Sequence, residues 1–262
     1  MMEEFVRNLP KAELHVHLEG TFEPELWQKI ALRNGMDFPF KNVEEAKNAF
    51  EFKGLVPFLH LCDSAILVVL NADDLYDLTI DYLKKCHEQN IRHVELTWGP
   101  TQFTERETNP ISMKIQMEGI MRAVEEAKEK YNMTVLLILC FIRQCPVDQA
   151  YRIMEEAIPF RHQISAVGLA GCEIGFGPEL FEDVYKVAKE KYGYKLTAHA
   201  GEVTDADAIK NTIEFLKVDR VDHGIKAMND PKLLQEIIDS NMHLTLCPDS
   251  NIKLKVCSEI DE

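Results

Sequence analysis

Short apolar or β-branched runs recur along this chain, each followed by a stretch with helical spacing, and that alternation limits the folds open to it. The runs are "ELHVHL" (13–18), "RHVELTW" (92–98), "TVLLILCF" (134–141), "SAVGLAG" (165–171), "KLTAHAG" (195–201), "RVDHGI" (220–225) and "HLTLCP" (243–248). Between the first two, "DDLYDLTIDYLKKCHEQN" puts Leu75, Leu78, Tyr82, Leu83 and Cys86 on one stripe, the spacing of a half-buried helix. Asn109 with Pro110, and Asp230 with Pro231, read as helix starts. A short polar side chain there accepts from the free first-turn amides, and proline has no amide to leave unmet. "GPELFEDVYKVAKEKYGY" and "DADAIKNTIEFLKV" complete the alternation. Strand followed by helix implies parallel strands joined by right-handed crossovers.

Two architectures satisfy that pattern, an open doubly wound sheet and a (β/α) barrel. Polar residues separate them. Histidines fall near the C-terminal ends of three different strands, at 13–18, 195–201 and 220–225. A barrel gathers such ends around one mouth, whereas an open sheet concentrates its ligand site at one switch point. The barrel is therefore the expected fold. With no linker or low-complexity break, residues 1–262 read as a single domain, with a helical insertion at about 21–91 that is too long for one crossover helix.

Composition narrows the function classes. The formal net charge is −15, from 29 basic and 44 acidic residues, so nucleic acid and anionic membrane are not expected partners. The longest apolar runs fall far short of a membrane span. The opening "MMEEFVRNLPKAEL" lacks a basic region followed by an apolar one, so no secretory signal is expected. Seven cysteines without a C-x-x-C pair fit reduced thiols and a cytoplasmic location, with the nucleus as a second compartment.

The histidines carry the candidate chemistry. His15 and His17 stand two apart on a strand and so share a face, with Val16 turned away. Alone, that is either a metal pair or a wet sheet face. "HAGE" adds His199 and Glu202, and "VDHGI" adds His223 before Gly224; each alone fits a hydrogen-bonded core histidine equally well. Together at barrel strand ends they would share a cavity. Three neutral imidazoles suit a borderline metal such as Zn²⁺, which keeps a coordination position open for water and makes that water acidic near neutrality. Attack on an unsaturated ring then needs a proton donor and a base, roles a carboxyl group and a histidine can take. Zinc-dependent hydrolysis is the class this favours.

"LPKAELHVHLEGTFEPEL", "LAGCE", "LTAHAGE", "VDHGI" and "LTLCPDSNIKLKV" resemble the successive motifs of the adenosine/adenine deaminase family, from about Leu9 to Val256. The resemblance implies a zinc (β/α)₈ TIM barrel of the metal-dependent hydrolase type. It implies that His15, His17 and His199 ligate one Zn²⁺ per chain, that Glu202 protonates the purine ring, and that His223 orients and deprotonates water. Gly171 would offer its amide to a purine nitrogen. Glu19, where the adenosine branch carries aspartate, together with "CPDSNIKLKV", "PTQFTERE" and "FLKVDRVDHGIKAMND", resembles the adenine branch. The expected substrate is thus a small-molecule purine, adenine, converted to hypoxanthine and ammonia in purine salvage. Adenosine is the alternative substrate, N6-substituted adenines also stay open, and so does the oligomeric state.

One departure stands against the resemblance. The family's eighth strand ends in paired aspartates several dozen residues after "CPxSN", whereas this sequence runs only to Glu262. Glu259, Asp261 and Glu262 in "SEIDE" are too close and too polar to be that strand. The (β/α)₈ barrel is therefore expected to lack its eighth strand here, leaving unpaired edges. The sequence then reads either as a C-terminally incomplete part of a longer protein or as a natural short form, and a non-catalytic purine- or metal-binding short form is the third functional reading. Cys140, Cys145 and Cys247 read as core or loop thiols, and Trp98 and Phe103 as packing rather than pocket lining. His60, His87, His93, His162 and His243 have no partner pattern.

Overall fold

The computed structural model describes residues 2–51 and 54–257. They form two compact units, one of residues up to Trp98 with Gln102–Leu136, the other of Gly99–Thr101 with the chain from Leu137 onward.

The first unit opens with helix α1 (Met2–Asn8) and strand β1 (Lys11–His17). The segment expected as an insertion holds α2 (Pro24–Arg33), α3 (Val43–Ala49), α4 (Leu55–Ile66) and α5 (Ala72–Glu88). Strand β2 (Ile91–Trp98), the single turn α6 (Thr101–Thr104) and α7 (Met113–Tyr131) follow. β1 and β2 pair in parallel, with a register shift between Glu13 and Val16 that marks a bulge. The stripe expected on α5 is the buried one: Leu75, Leu78 and Leu83 are fully covered and Cys86 nearly so. The start of α7 differs from expectation. Ser112 caps it by accepting from the Ile115 amide, while Asn109 takes a left-handed conformation (φ 50°) and its carbonyl accepts from Arg106 Nε at 2.7 Å. The Ile111 amide donates to the Phe103 carbonyl at 2.9 Å, which keeps residue 111 in the loop, and the helix starts past Ser112.

Two features hold this unit. Trp27, fully buried, meets the edges of Phe38 and Phe40 at 5.6 and 5.5 Å between ring centroids. Asp74 is also fully buried, and its carboxylate accepts from Arg33, from Asn34 Nδ2 and from the Leu70 amide, so the charge that burial would penalise is paired.

The second unit carries the strand-helix repeat: β3 (Thr134–Ile142, its first three residues in the other unit), α8 (Val147–Glu156), β4 (Ile164–Ala170), α9 (Glu182–Glu190), β5 (Lys195–Ala200), α10 (Ala206–Leu216), β6 (Arg220–His223), α11 (Pro231–Asp239), β7 (His243–Thr245) and α12 (Pro248–Lys253). The strands pair in parallel in chain order, β3 to β4, β4 to β5, β5 to β6 and β6 to β7. Asp230 caps α11 through the Lys232 and Leu233 amides with Pro231 at its first position, as expected. No eighth strand occurs among the described residues, and Glu259, Asp261 and Glu262 lie outside them.

α5 and α7 approach closely at Gly119. A methyl group there would run into the Ala72 carbonyl oxygen and come within 2.7 Å of Leu75 Cβ. Alanine favours helix by about 1 kcal/mol over glycine, but overpacking typically costs about 1–3 kcal/mol. Gly119→Ala should therefore lower the thermal midpoint by several degrees. A raised midpoint would mean that the helices part without cost.

Candidate active site

The C-terminal ends of β5 and β6 build the polar centre of the second unit. Their register pairs Thr197 with Arg220 and His199 with Asp222, and the β6–β7 register pairs Asp222 with Thr245. Parallel partners point to the same face, so these five side chains gather on one side, with Ala198 and Val221 on the other. Asp222, 4% exposed, sits at the centre. It accepts from Thr197 Oγ1 at 2.6 Å, Thr245 Oγ1 at 2.8 Å and Arg220 Nε at 3.0 Å. Its Oδ2 stands 3.8 Å from His199 Nδ1.

Strand alternation would send His223, next after Asp222, to the opposite face. It does not go there. His223 has a left-handed backbone (φ 64°), as does Gly224 (φ 72°), so the strand ends at that residue and the side chain is re-aimed. The His223 ring lies 5.0 Å from that of His199, and its Nε2 is 3.5 Å from Glu202 Oε1. Burial pushes the His223 pKa down against the charges of Asp222 and Glu173, which favours neutral imidazole.

Glu202 follows Gly201, whose φ of 62° turns the chain sharply off β5. Its carboxyl is 5% exposed. Burial first, then the charge of Glu173, raises its pKa from 4.5 to about 7, with Arg143 opposing. A carboxyl group at that value holds its proton near neutrality, as a general acid must. Gly171, at the end of β4, has φ 97°, and the next amide, that of Cys172, donates to Gln144 Oε1 at 3.1 Å. Any side chain at 171 would collide with that same Gln144.

In the first unit, His15 and His17 share a face of β1, with ring centroids 5.6 Å apart and planes at 52°. Glu19 lies in the turn that follows, 5% exposed. Its charge, with that of Asp63, adds to burial in pushing the Cys62 thiol up to about 12. Trp98 and Phe103 are fully buried, and Trp98 Nε1 donates to Gln116 at 3.2 Å, in keeping with packing roles. Among the described residues no disulfide joins the seven cysteines; Cys140 is buried, while Cys247, read as a core thiol, is half-exposed, its Sγ 3.5 Å from the Thr245 carbonyl. His60, His162 and His243 are exposed, and His93 bonds Thr134 Oγ1 at 2.7 Å.

Asp222 and Glu173 lie inside the motifs "VDHGI" and "LAGCE", but their contacts, like those of Arg143, emerge only in the structure. Arg143 follows the apolar run of β3 directly, and a lone arginine there is the signal that was available. Its guanidinium is 3% exposed and donates to the His199 carbonyl.

The profile of the family described as "Adenosine deaminase" matches residues 10–262. The chain belongs to that family. Among relatives of this deaminase-family chain, the adenine deaminase of Acinetobacter baylyi is 42% identical over 259 residues, 99% of this chain and 77% of the relative. The solved adenine deaminase of Arthrobacter aurescens is 33% identical and superposes with a TM-score of 0.91, covering 96% of this chain and 76% of that one. A Burkhoderia ambifaria amidohydrolase with bound Zn is 26% identical, with a TM-score of 0.87 over 97% of this chain and 70% of its own. The fold class is thus α/β, of the (β/α) TIM-barrel type, and the open-sheet alternative falls away.

Glu202 also has a consequence for stability. Its proton is bound more tightly in the folded chain (about 7) than at an ordinary carboxyl (4.5), so its stabilising contribution is full below about pH 4.5 and is lost as pH rises through about 7. Glu202→Gln stays neutral throughout. Between about pH 5 and pH 8 the wild type should lose roughly 2–3 kcal/mol relative to the variant, read from urea midpoints. Parallel pH curves for the two proteins would show that the carboxyl is not held protonated by the fold.

Proposed function

We propose that this chain catalyses the hydrolytic deamination of adenine to hypoxanthine and ammonia in purine salvage, as a cytoplasmic enzyme with one zinc ion held by His15, His17 and His199. Relatives named adenine deaminase that align with 99–100% of the chain support the reaction. The observation that carries the chemistry is the Glu202–His223 pair, a buried acid titrating at about 7 beside an imidazole whose pKa is depressed.

The donor set fits the metal. Neutral imidazoles are the usual nitrogen ligands of zinc. His199 turns Nδ1 towards the Asp222 carboxylate, which leaves Nε2 as its donor atom, the arrangement in which an outer carboxylate sets the tautomer of a ligating histidine. When bound, the ion supplies Lewis acidity that makes water a competent nucleophile near neutral pH. The chain's own residues do the rest. Glu202 delivers its proton to a ring nitrogen as water oxygen adds to the amino-bearing carbon. His223 accepts the proton that water loses, which its neutral form permits. The amino group then takes that proton from His223 and leaves as ammonia, while the new hydroxyl gives its proton back to the Glu202 carboxylate as the carbonyl forms. The Gly171 amide holds a purine nitrogen, and a side chain at that position would be excluded by Gln144 as well as by the backbone conformation. Glu19, one methylene longer than aspartate, takes space that a ribose would need.

Zinc-loaded protein should change the adenine absorbance spectrum and release ammonia, lose that activity to a chelator, and regain it with one equivalent of zinc. Glu202→Gln should lower kcat by about 10²–10⁴-fold with zinc content unchanged. Loss of zinc from that variant would instead make Glu202 a ligand. Turnover of adenosine with adenine left untouched would overturn the substrate reading. Glu19→Asp should raise the adenosine-to-adenine rate ratio; a ratio unmoved would remove Glu19 from substrate selection.

A further inference from the structure

Glu173 has no part in the reaction as written, yet it is a buried carboxylate, 7% exposed, two residues past Gly171. Its Oε2 accepts three hydrogen bonds, from the Val203 amide at 2.9 Å, the Thr204 amide at 3.2 Å and Thr204 Oγ1 at 2.9 Å. All three donors belong to the two residues that directly follow Glu202. A buried carboxylate loses its water, and charge-assisted bonds from amides and hydroxyls replace it. The benefit is mutual: two backbone amides just past the sharp turn at Gly201 find their acceptor in this side chain.

The other end of the same segment is fastened as well. Arg143 donates to the His199 carbonyl, and its second amino group donates to the Phe176 carbonyl at 3.1 Å. The stretch 199–204 is thus tied down before and after Glu202 by buried side chains from the loops after β3 and β4. Neither tie uses the Glu202 carboxyl itself, which remains beside His223 at 3.5 Å.

We infer that Glu173 is a positioning residue: its carboxylate clamps the Val203–Thr204 turn and so fixes where the Glu202 carboxyl meets the substrate ring. The inference rests on Glu202 being the acid of the proposed deamination. Misplacing a reacting group by about 1 Å can cost on the order of 10² in rate, so a clamp on the backbone next to the acid acts on kcat rather than on binding. The charge of Glu173 is also felt at Glu202, where it adds to burial in retaining the proton, while Arg143 opposes it and His223 is the neighbouring imidazole.

The test compares zinc-loaded wild type, Glu173→Gln, Glu173→Ala and Glu202→Gln for kcat and KM with adenine between about pH 5.5 and 9, with zinc content measured on each. Glu173→Ala should lose about 10² in kcat, with KM within roughly threefold and zinc retained. Glu173→Gln keeps an oxygen to accept the three bonds and should recover kcat to within about tenfold of wild type. Because the negative charge beside Glu202 is gone, the alkaline limb of its kcat profile should move to lower pH. If Glu173→Ala does not fold, the limb shift in Glu173→Gln decides, with Thr204→Val expected to lose only a few-fold in kcat. Wild-type kcat in Glu173→Ala, or a glutamine variant with no recovery and an unmoved limb, overturns the clamp. Full activity in Glu202→Gln would instead overturn the acid assignment, and the clamp with it. An inactive Glu202→Gln beside a fully active Glu173→Ala would sink the clamp alone.

Discussion

Parallel pairing of β5 with β6, in the register that sets His199 against Asp222, is the constraint on which the polar centre depends. Side chains of paired residues share a face, so one register puts Thr197, His199, Arg220, Asp222 and, through β7, Thr245 together. A slip of β6 by one residue would carry His199 and Asp222 to opposite faces and bury the carboxylate without the hydroxyl donors of Thr197 and Thr245. Asp222 is satisfied three times over, and that satisfaction in turn penalises any other register. A single carboxylate thereby joins β5, β6 and β7.

Regular strand geometry carries the site only up to Asp222. The groups proposed for proton transfer come from residues that leave it. Gly201 and His223 both take left-handed backbone conformations, and those two departures bring Glu202 and His223 within 3.5 Å. A non-glycine residue at positive φ costs energy that the surroundings must offset, and the Gly224 amide bonded to the Ala200 carbonyl at 2.9 Å is part of that offset. Burial then acts in opposite senses on the two groups. It favours the uncharged form of each, which is the protonated carboxyl and the deprotonated imidazole. One desolvated environment thereby favours a protonated carboxyl beside a neutral imidazole.

The first unit owes its order to different physics. Its helices rest on aromatic edges around Trp27 and on close approach at Gly119, with the buried Asp74 tying α2 to α5 through Arg33 and Asn34. Each strand expected from apolar runs is present, and the α5 stripe is the buried one, because periodicity reports which face meets the core. α7 starts at Met113, three residues past the start that Asn109 and Pro110 predict. Asn109 and Ser112 are both competent caps, and the choice went to the one whose amides lay in helical register past Pro110. α8 is marked only by a short stripe in "VDQAYRIMEE", with Ala150, Ile153 and Met154 buried at helical spacing over ten residues.

The chain's letters by themselves determined the strand-helix alternation and the family, and, through the family resemblance of its motifs, the candidate set His15, His17, Glu19, Gly171, His199, Glu202 and His223, because periodicity and motifs are local properties. Tertiary structure alone decided that Asp222 stands 3.8 Å from His199, that burial raises the Glu202 carboxyl to about 7, and that Glu173 and Arg143 fasten the segment between them. Those facts depend on strand register and on desolvation. Both arise only when residues dozens of positions apart are packed side by side, and no local pattern encodes the distance between them.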